Sequence, residues 1–346
     1  MNDRIKCRLV HLVARPQGRA AATDFAFREE DLSAPAPGAA LVENIYLSVD
    51  PYMRGCMDGD WALNAPLEGR TIGRVVESRD PGLTAGQLVF HRKGWRTHAR
   101  VSAAEVRVIA PTPGVPLSAY LGILGGTGLS AYVALTRIAL LNKGETVFIS
   151  AAGGGVGTAA GQIARLLGAG RVIGSAGSAA KVKHLTERLG FDAAFDYHES
   201  PIAESLARVA PGGLDVYVDN VGGSQLEAAI GAMRARGRIA CVGAVAQYQD
   251  RTPPAGPRNL RDVVGKSLRL EGFLVRDYNQ LQGELEETLI PHIRSARLGL
   301  EQTVIEGFDR VVEGFLGMLD GKNVGKMIVQ VSGESTGTFS APAPYT

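Results

Sequence analysis

Hydrophobic and polar positions divide the chain into two regimes. Up to about residue 110 no long helical period occurs. Short β-branched and aromatic runs lie at Leu9–Ala14, Ala40–Ser48, Thr71–Ser78, Gln87–His91 and Val106–Ala110. Turn chemistry separates them, with Pro-Ala-Pro-Gly at 35–38 and Asp-Pro-Gly at 80–82, and predicts a mostly β domain. Past Ala131 the pattern alternates between strand and helix. Thr146–Ser150 reads as a buried strand, and 158–167 sets Ala159, Ala160, Ile163, Ala164, Leu166 and Leu167 at helical spacing before a stop at Gly168. Strands follow at Arg171–Ser175, Ala194–Asp196, Leu214–Asp219, Arg238–Val242 and Leu268–Phe273. Helices are predicted near Ala180–Leu189, Ile202–Val209 and Gln280–Arg297, and a last strand over Lys326–Val331. The alternation predicts an α/β fold with a doubly wound parallel sheet.

One long uncharged stretch, Val108–Thr136, contains Pro111, Pro113, Pro116 and glycines at 122, 125, 126 and 128. These break a membrane helix, so it is expected to be a buried connection between domains. Ser332–Thr346 is small and polar, the composition of a loose tail.

Composition narrows the classes. With 346 residues there is room for two cores, and 45% hydrophobic with 21% charged residues excludes wholesale disorder. A formal charge of +2 without a basic tract argues against nucleic acid or an anionic membrane as partner. Cys7, Cys56 and Cys241 have neither metal nor disulfide spacing, and Met1–Arg8 is charged with no apolar segment after it. A reduced, cytoplasmic protein is expected.

The candidate chemistry starts in the glycine-rich turn between the first strand and helix of the alternating region. Ala152-x-Gly154-x-x-Gly157 is a dinucleotide fingerprint with alanine at its first position. Gly154 would let the backbone approach a pyrophosphate, Gly157 would let helix and strand close up, and the helix N-terminus offers free N–H groups. A tight turn in a nucleotide-free protein is the alternative. An NAD site usually has a carboxylate at the end of the second strand. Here that segment reads Gly174-Ser-Ala-Gly-Ser-Ala-Ala-Lys181, which favours NADP(H), unless Lys181 is simply a solvated helix lysine.

Together these stretches resemble the medium-chain dehydrogenase/reductase superfamily. They are most similar to its zinc-independent branch of leukotriene B4 dehydrogenase/prostaglandin reductases, alkenal double-bond reductases and curcumin-type reductases. Carrying the resemblance are Tyr46-Leu-Ser-Val-Asp-Pro-Tyr-Met-Arg54, Gly128-Leu-Ser-Ala-Tyr132, Ala151–Gly157, Gly174–Lys181, Phe195-Asp-Tyr197, Asp219-Asn-Val-Gly-Gly223, Gly237-Arg-Ile-Ala240, Glu271-Gly-Phe-Leu-Val275 and Gly321-Lys-Asn-Val-Gly-Lys326. The resemblance implies a GroES-like β domain over residues 1–125, a Rossmann NADP-binding domain over 126–298, and a return to the first domain over 299–346. It also implies homodimerisation through the sheet edge at Leu268–Phe273.

No zinc is expected. The loop that would offer the first cysteine ligand reads Ser48-Val49-Asp50-Pro51-Tyr52, the site expected to offer His-Glu reads Ile72-Gly73-Arg74, and the four-cysteine lobe is missing. Reduction of a carbon–carbon double bond conjugated to a carbonyl needs a donor for an enolate oxygen rather than a Lewis acid. A tyrosine, ordinarily protonated up to a pKa of ~10, suits that task. The resemblance places Tyr248, in Ala246-Gln247-Tyr248, as enolate donor and candidate proton source, unless it only packs on substrate. Alanine at 246 replaces the family's serine and removes a possible supporting hydroxyl. Tyr52 is a second candidate, or a core tyrosine with a bonded hydroxyl.

For the cofactor the resemblance implies Ala152, Gly154, Val156 and Gly157 at the pyrophosphate and Ser178, Lys181 and Tyr197 around the 2′-phosphate. Asn220 falls near the adenosine ribose, Phe273, Leu274 and Val275 beside the nicotinamide, and Asn323 on the returning segment. Turn chemistry beside glycines is the alternative for both asparagines. The implied activity is NADPH-dependent reduction of α,β-unsaturated ketones or aldehydes. NADP-dependent oxidation of an allylic alcohol and non-catalytic NADPH binding stay open.

Overall fold

A computed structural model describes residues 4–249, 252 and 254–333. Strands β1 (Ile5–Leu12) and β2 (Phe25–Leu32) form an antiparallel hairpin, paired from Ile5–Leu32 to Leu12–Phe25. β3 (Ala40–Ser48) leads through a short helix α1 (Tyr52–Cys56) to β4 (Thr71–Ser78), β5 (Leu88–His91), β6 (His98–Val101) and β7 (Arg107–Ile109). Helix α2 (Gly126–Val133) lies in the uncharged connection and is almost wholly buried, which is why that stretch has no polar face.

The alternating region follows as β8 (Thr146–Ile149), α3 (Gly155–Leu166), β9 (Arg171–Ala176), α4 (Ala179–Glu187), β10 (Ala193–Asp196), α5 (Ile202–Val209) and β11 (Leu214–Asp219). It continues with α6 (Gly223–Ala232), β12 (Met233–Cys241), α7 (Leu260–Gly265), β13 (Arg269–Gly272) and α8 (Gln282–Arg294). The six strands are parallel in the order β10-β9-β8-β11-β12-β13. The winding reverses between β8 and β11, the point at which sheets of this kind form a ligand crevice beyond the C-terminal strand ends. β8 is buried along its whole length, with Phe148 stacked 4.9 Å from Tyr217 and 5.9 Å from Phe195.

The chain then returns. β14 (Gln302–Glu306), α9 (Val311–Leu319) and β15 (Lys326–Gln330) form a parallel unit that completes the other sheet, β14-β15-β3-β4-β5-β7, with β6 also paired to β3. Phe315 of α9 meets Trp95 edge-on at 5.6 Å, and Phe25 stacks on the same indole at 5.7 Å. The return therefore supplies core to the N-terminal sheet.

Four elements form where the pattern placed them, at Ala40–Ser48, Thr71–Ser78, Ile202–Val209 and Leu214–Asp219. β12 starts at Met233 rather than Arg238, and β2, β6, α6, β14 and α9 carried no predicted element. No helix among the described residues is long and apolar enough to cross a membrane. The tail expected at 332–346 lies, from residue 334 on, outside the described residues.

Candidate cofactor and active site

Local geometry explains the glycine turn. Ala151 sits in the left-handed region at φ 47°, and its carbonyl accepts the Gly154 N–H at 2.9 Å, closing the turn. A Cβ on Gly157 would lie 2.5 Å from the Ala152 Cα, and one on Gly174 would lie 2.7 Å from the Ala152 Cβ. Only glycine permits that approach of α3 to β8 and β9. Gly154 caps α3 from an extended conformation, so the first N–H groups of the helix, on Gly155, Val156 and Gly157, point outward without intrahelical acceptors. This cradle fits a pyrophosphate. Ala152 is fully buried and donates its N–H to the Ser175 carbonyl at 2.8 Å, so it shapes the cradle from beneath.

A second segment braces the turn from the returning chain. Gly325 N–H donates to the Gly153 carbonyl at 2.9 Å, and Gly154 and Gly325 form an isolated parallel bridge. Asn323 is buried, its amide donating to the Gly325 carbonyl at 2.6 Å, so it fixes the bracing turn. Asn220 donates from its amide to the Ser150 carbonyl at 2.8 Å and so holds the ends of β8 and β11 together at the crevice.

At the end of β9, Ser178 caps α4 through its hydroxyl, which accepts the Lys181 N–H at 3.3 Å. The Lys181 stem lies along Gly153, and its ammonium donates to the Gly321 carbonyl at 2.6 Å. Burial lowers the Lys181 pKa, and no counter-carboxylate opposes that shift. The Tyr197 hydroxyl lies close over Gly177, where a Cβ would come within 2.9 Å of it. Ser178, Lys181, Gly177 and Tyr197 thus adjoin at one corner of the sheet, and the nearby Asp196 carboxylate is engaged by His198 at 3.0 Å.

Tyr248 follows β12 on a single 3-10 turn. With Cys241, Gly243, Gly272, Phe273 and Leu274 it lines a cavity of about 520 Å³ at the C-terminal ends of β12 and β13. Its hydroxyl accepts the Ala244 N–H at 3.3 Å, and no acceptor for its proton occurs among the described residues. Phe273 packs edge-on against Tyr278 at 5.8 Å, half-buried Val275 packs at the edge of the core, and Leu274 is exposed.

Tyr52 belongs to another group. Its hydroxyl is buried without a hydrogen bond, and burial, with Asp50 adding to it, pushes its pKa to about 12. The Arg70 guanidinium lies 5.4 Å from its ring. Asp50 accepts from Ser48 at 2.7 Å and is paired with Lys326 at 3.1 Å and Arg70 at 3.5 Å. Burial alone would raise that carboxyl, but Lys326 and then Arg70 outweigh it and hold the pKa at about 2. This cluster was not foreseen, although Asp50 and Lys326 both fall in segments that carry the family resemblance. Nothing in their spacing says that they meet. Among the described residues no group of three or more His, Cys, Asp or Glu side chains could hold a metal ion.

A β sheet completed by its own C-terminal return, joined to a doubly wound sheet with a phosphate cradle, defines a two-domain nucleotide-dependent oxidoreductase of the medium-chain type. Residues 8–109 match the family described as the N-terminal domain of oxidoreductase, and residues 155–292 match the zinc-binding dehydrogenase family. The chain is 35% identical over 334 residues to the NADPH-dependent curcumin reductase of Escherichia coli, covering 93% of this chain and 96% of that protein. It is 39% identical over 302 residues to the NADP(+)-dependent 2-alkenal reductase of Nicotiana tabacum, covering 85% and 88%. The crystal structure of CurA in complex with NADPH from Vibrio vulnificus superposes with a TM-score of 0.88 at 32% identity, over 94% of this chain and 99% of that one. The chain belongs to the zinc-independent medium-chain dehydrogenase/reductases, in the branch of the curcumin, alkenal and prostaglandin reductases.

Proposed function

We propose that this chain reduces the carbon–carbon double bond of α,β-unsaturated ketones and aldehydes with NADPH. The observation that carries the reading is Tyr248, a phenol whose proton has no acceptor among the described residues, at the lip of the cavity it shares with Phe273 and Leu274. When bound, NADPH supplies a hydride to the substrate β-carbon. Negative charge then gathers on the carbonyl oxygen, where the Tyr248 O–H donates a hydrogen bond. Tyr52 is the second candidate donor, and its high pKa keeps it a phenol across the working range.

The N–H groups of Gly155, Val156 and Gly157 hold the pyrophosphate, with Ala152 and Gly154 shaping the turn below it. Ser178, Lys181 and Tyr197 take the 2′-phosphate, the Lys181 ammonium exchanging the Gly321 carbonyl for an anion. Asn220 and Asn323 position the cradle around the ribose and pyrophosphate, and Phe273, Leu274 and Val275 exclude water beside the nicotinamide. Residues 126–298 form the cofactor domain, and 1–125 with the return at 299–346 form the substrate domain. The unit is a homodimer joined along β13, an edge strand flanked by exposed Leu260, Val264 and Leu274. A cytoplasmic setting suits Cys56 and Cys241, whose thiols burial raises to about 11.

Loss of nicotinamide absorbance with a panel of enones, enals and saturated alcohols tests the reading. Enones are expected to turn over faster with NADPH than with NADH. Lys181→Ala is expected to narrow that preference about ten- to a hundredfold, one charge-assisted contact being worth ~1.5–3 kcal/mol. Oxidation of alcohols with NADP⁺, and no turnover of enones, would replace the reading with an alcohol dehydrogenase.

A further inference from the structure

Arg70 is the second cation on Asp50 and spends little of its hydrogen-bonding capacity there. It begins the segment leading into β4 and is about one-fifth exposed. Among the described residues its guanidinium makes one polar contact, the ion pair with Asp50 at 3.5 Å. That carboxylate is already served by Lys326 and Ser48, so Asp50, Lys326 and Arg70 sum to one net positive charge. The group is built into the seam between the sheets. A Cβ on Gly126 would come within 3.0 Å of the Arg70 Cζ, so the guanidinium fills the volume a side chain at 126 would need. Beside it, a Cβ on Gly155, the first residue of α3, would meet Thr127 at 2.9 Å and the Lys326 Cα at 3.3 Å. Arg70 therefore stands one residue layer from the phosphate cradle, against the ring of Tyr52, whose own buried hydroxyl lacks a partner.

A planar guanidinium with unspent donors, in a cluster of net positive charge, is suited to a planar two-oxygen anion. Resting on the enone-reductase reading, we infer that Arg70 anchors a carboxylate of the substrate, so that the favoured substrates are α,β-unsaturated carbonyl compounds that also carry an acid group. The enolate oxygen remains the task of Tyr248, and Arg70 sets which enones are taken.

The test compares a linear enone bearing a terminal carboxylate with the same enone as its methyl ester. Wild type is expected to favour the acid in kcat/KM by about ten- to a hundredfold, mainly through KM. Arg70→Met is expected to abolish that preference and Arg70→Lys to keep part of it. Gly126→Ala displaces the guanidinium without altering Arg70 and is expected to reduce the preference too. NADPH affinity, followed by its fluorescence, is expected to stay within twofold in all three variants. Calorimetric titration of the NADP⁺ complex with levulinate, a saturated keto acid, gives a readout independent of turnover, and Arg70→Met is expected to weaken it at least tenfold. Equal treatment of acid and ester by wild type overturns the inference. So does a fall in NADPH affinity matching the fall in turnover, which would assign Arg70 to a cofactor phosphate. Levulinate binding that depends on Arg70, with no enone reduced, would keep the anion site and reject the reductase reading.

Discussion

Single residues carry the chemistry proposed for each part of the site. Among the described residues Tyr248 has one hydrogen bond, in which it accepts, and no acceptor for its proton, whereas Tyr52 is buried with its hydroxyl unmatched and its pKa pushed to about 12. The two phenols are therefore not equivalent, and Tyr248→Phe is expected to lower kcat about 10²–10³-fold while NADPH binding stays unchanged, as for loss of one oxyanion donor. Steady-state rates with an enone, set beside a fluorescence titration of NADPH, check this, and undiminished turnover would leave Tyr248 a packing residue. Lys181 shows where sequence reading gave out. Its position after Gly-Ser made it a phosphate candidate, but that its stem rides over Gly153 and its head reaches Gly321 depends on a return from 140 residues away. Both asparagines were open between cofactor contact and turn chemistry. Their amides bind backbone carbonyls at 2.8 and 2.6 Å, so any cofactor contact is made by a group already fixed in place.

Among the elements, legibility followed burial. β8 is buried on both faces because helices cover both sides of a parallel sheet, and β11 alternates Leu214, Val216 and Val218 with Asp215, Tyr217 and Asp219, so their sequences announce them. β2 reads Phe-Ala-Phe-Arg-Glu-Glu-Asp-Leu, is exposed through its middle, and exists because β1 pairs with it, so no periodicity marked it. α6, Gly-Ser-Gln-Leu-Glu-Ala-Ala-Ile-Gly-Ala, is built from small residues with a weak apolar stripe and is held by α5 and β11. β13 is short, ends the six-stranded sheet and carries only half-buried or exposed residues. Val264, just before it, is 81% exposed. An unpaired edge beside an exposed valine is what the proposed homodimer would cover. Val264→Glu is expected to convert a dimer into a monomer of 36.5 kDa by light scattering. Wild type already at that mass would remove the dimer from the account.

For the whole molecule, the decisive feature is the seam where the C-terminal return meets both sheets. Lys326 opens β15, packs against the first residue of α3 and pairs with Asp50 after β3, so one buried ion pair ties the phosphate cradle to the N-terminal sheet. Three segments distant in sequence make it, which is why composition and spacing did not disclose it. Lys326→Met takes from the buried Asp50 its nearer cation and leaves it only Arg70 at 3.5 Å, so the variant is expected to cost up to about 3–5 kcal/mol in urea unfolding. Because the Asp50 pKa is lowered on folding, from 3.8 to about 2, the unfolded chain binds more protons in that window. The contribution of Asp50 is whole above the upper value and fades as the pH falls toward the lower one, and Lys326→Met should shrink that acid-side loss. A cost below about 1 kcal/mol, the range of an exposed pair, would contradict the assignment.

The fold, the cradle and the phenol together claim one reaction, addition of hydride to the β-carbon of an enone with the carbonyl left intact. The most direct test follows NADPH carrying deuterium at the transferable position of nicotinamide C4, with a simple enone, and locates the label in the product by NMR. A saturated ketone with one deuterium on the β-carbon is the predicted product. Deuterium on the former carbonyl carbon of an allylic alcohol would contradict it and make the chain a carbonyl reductase.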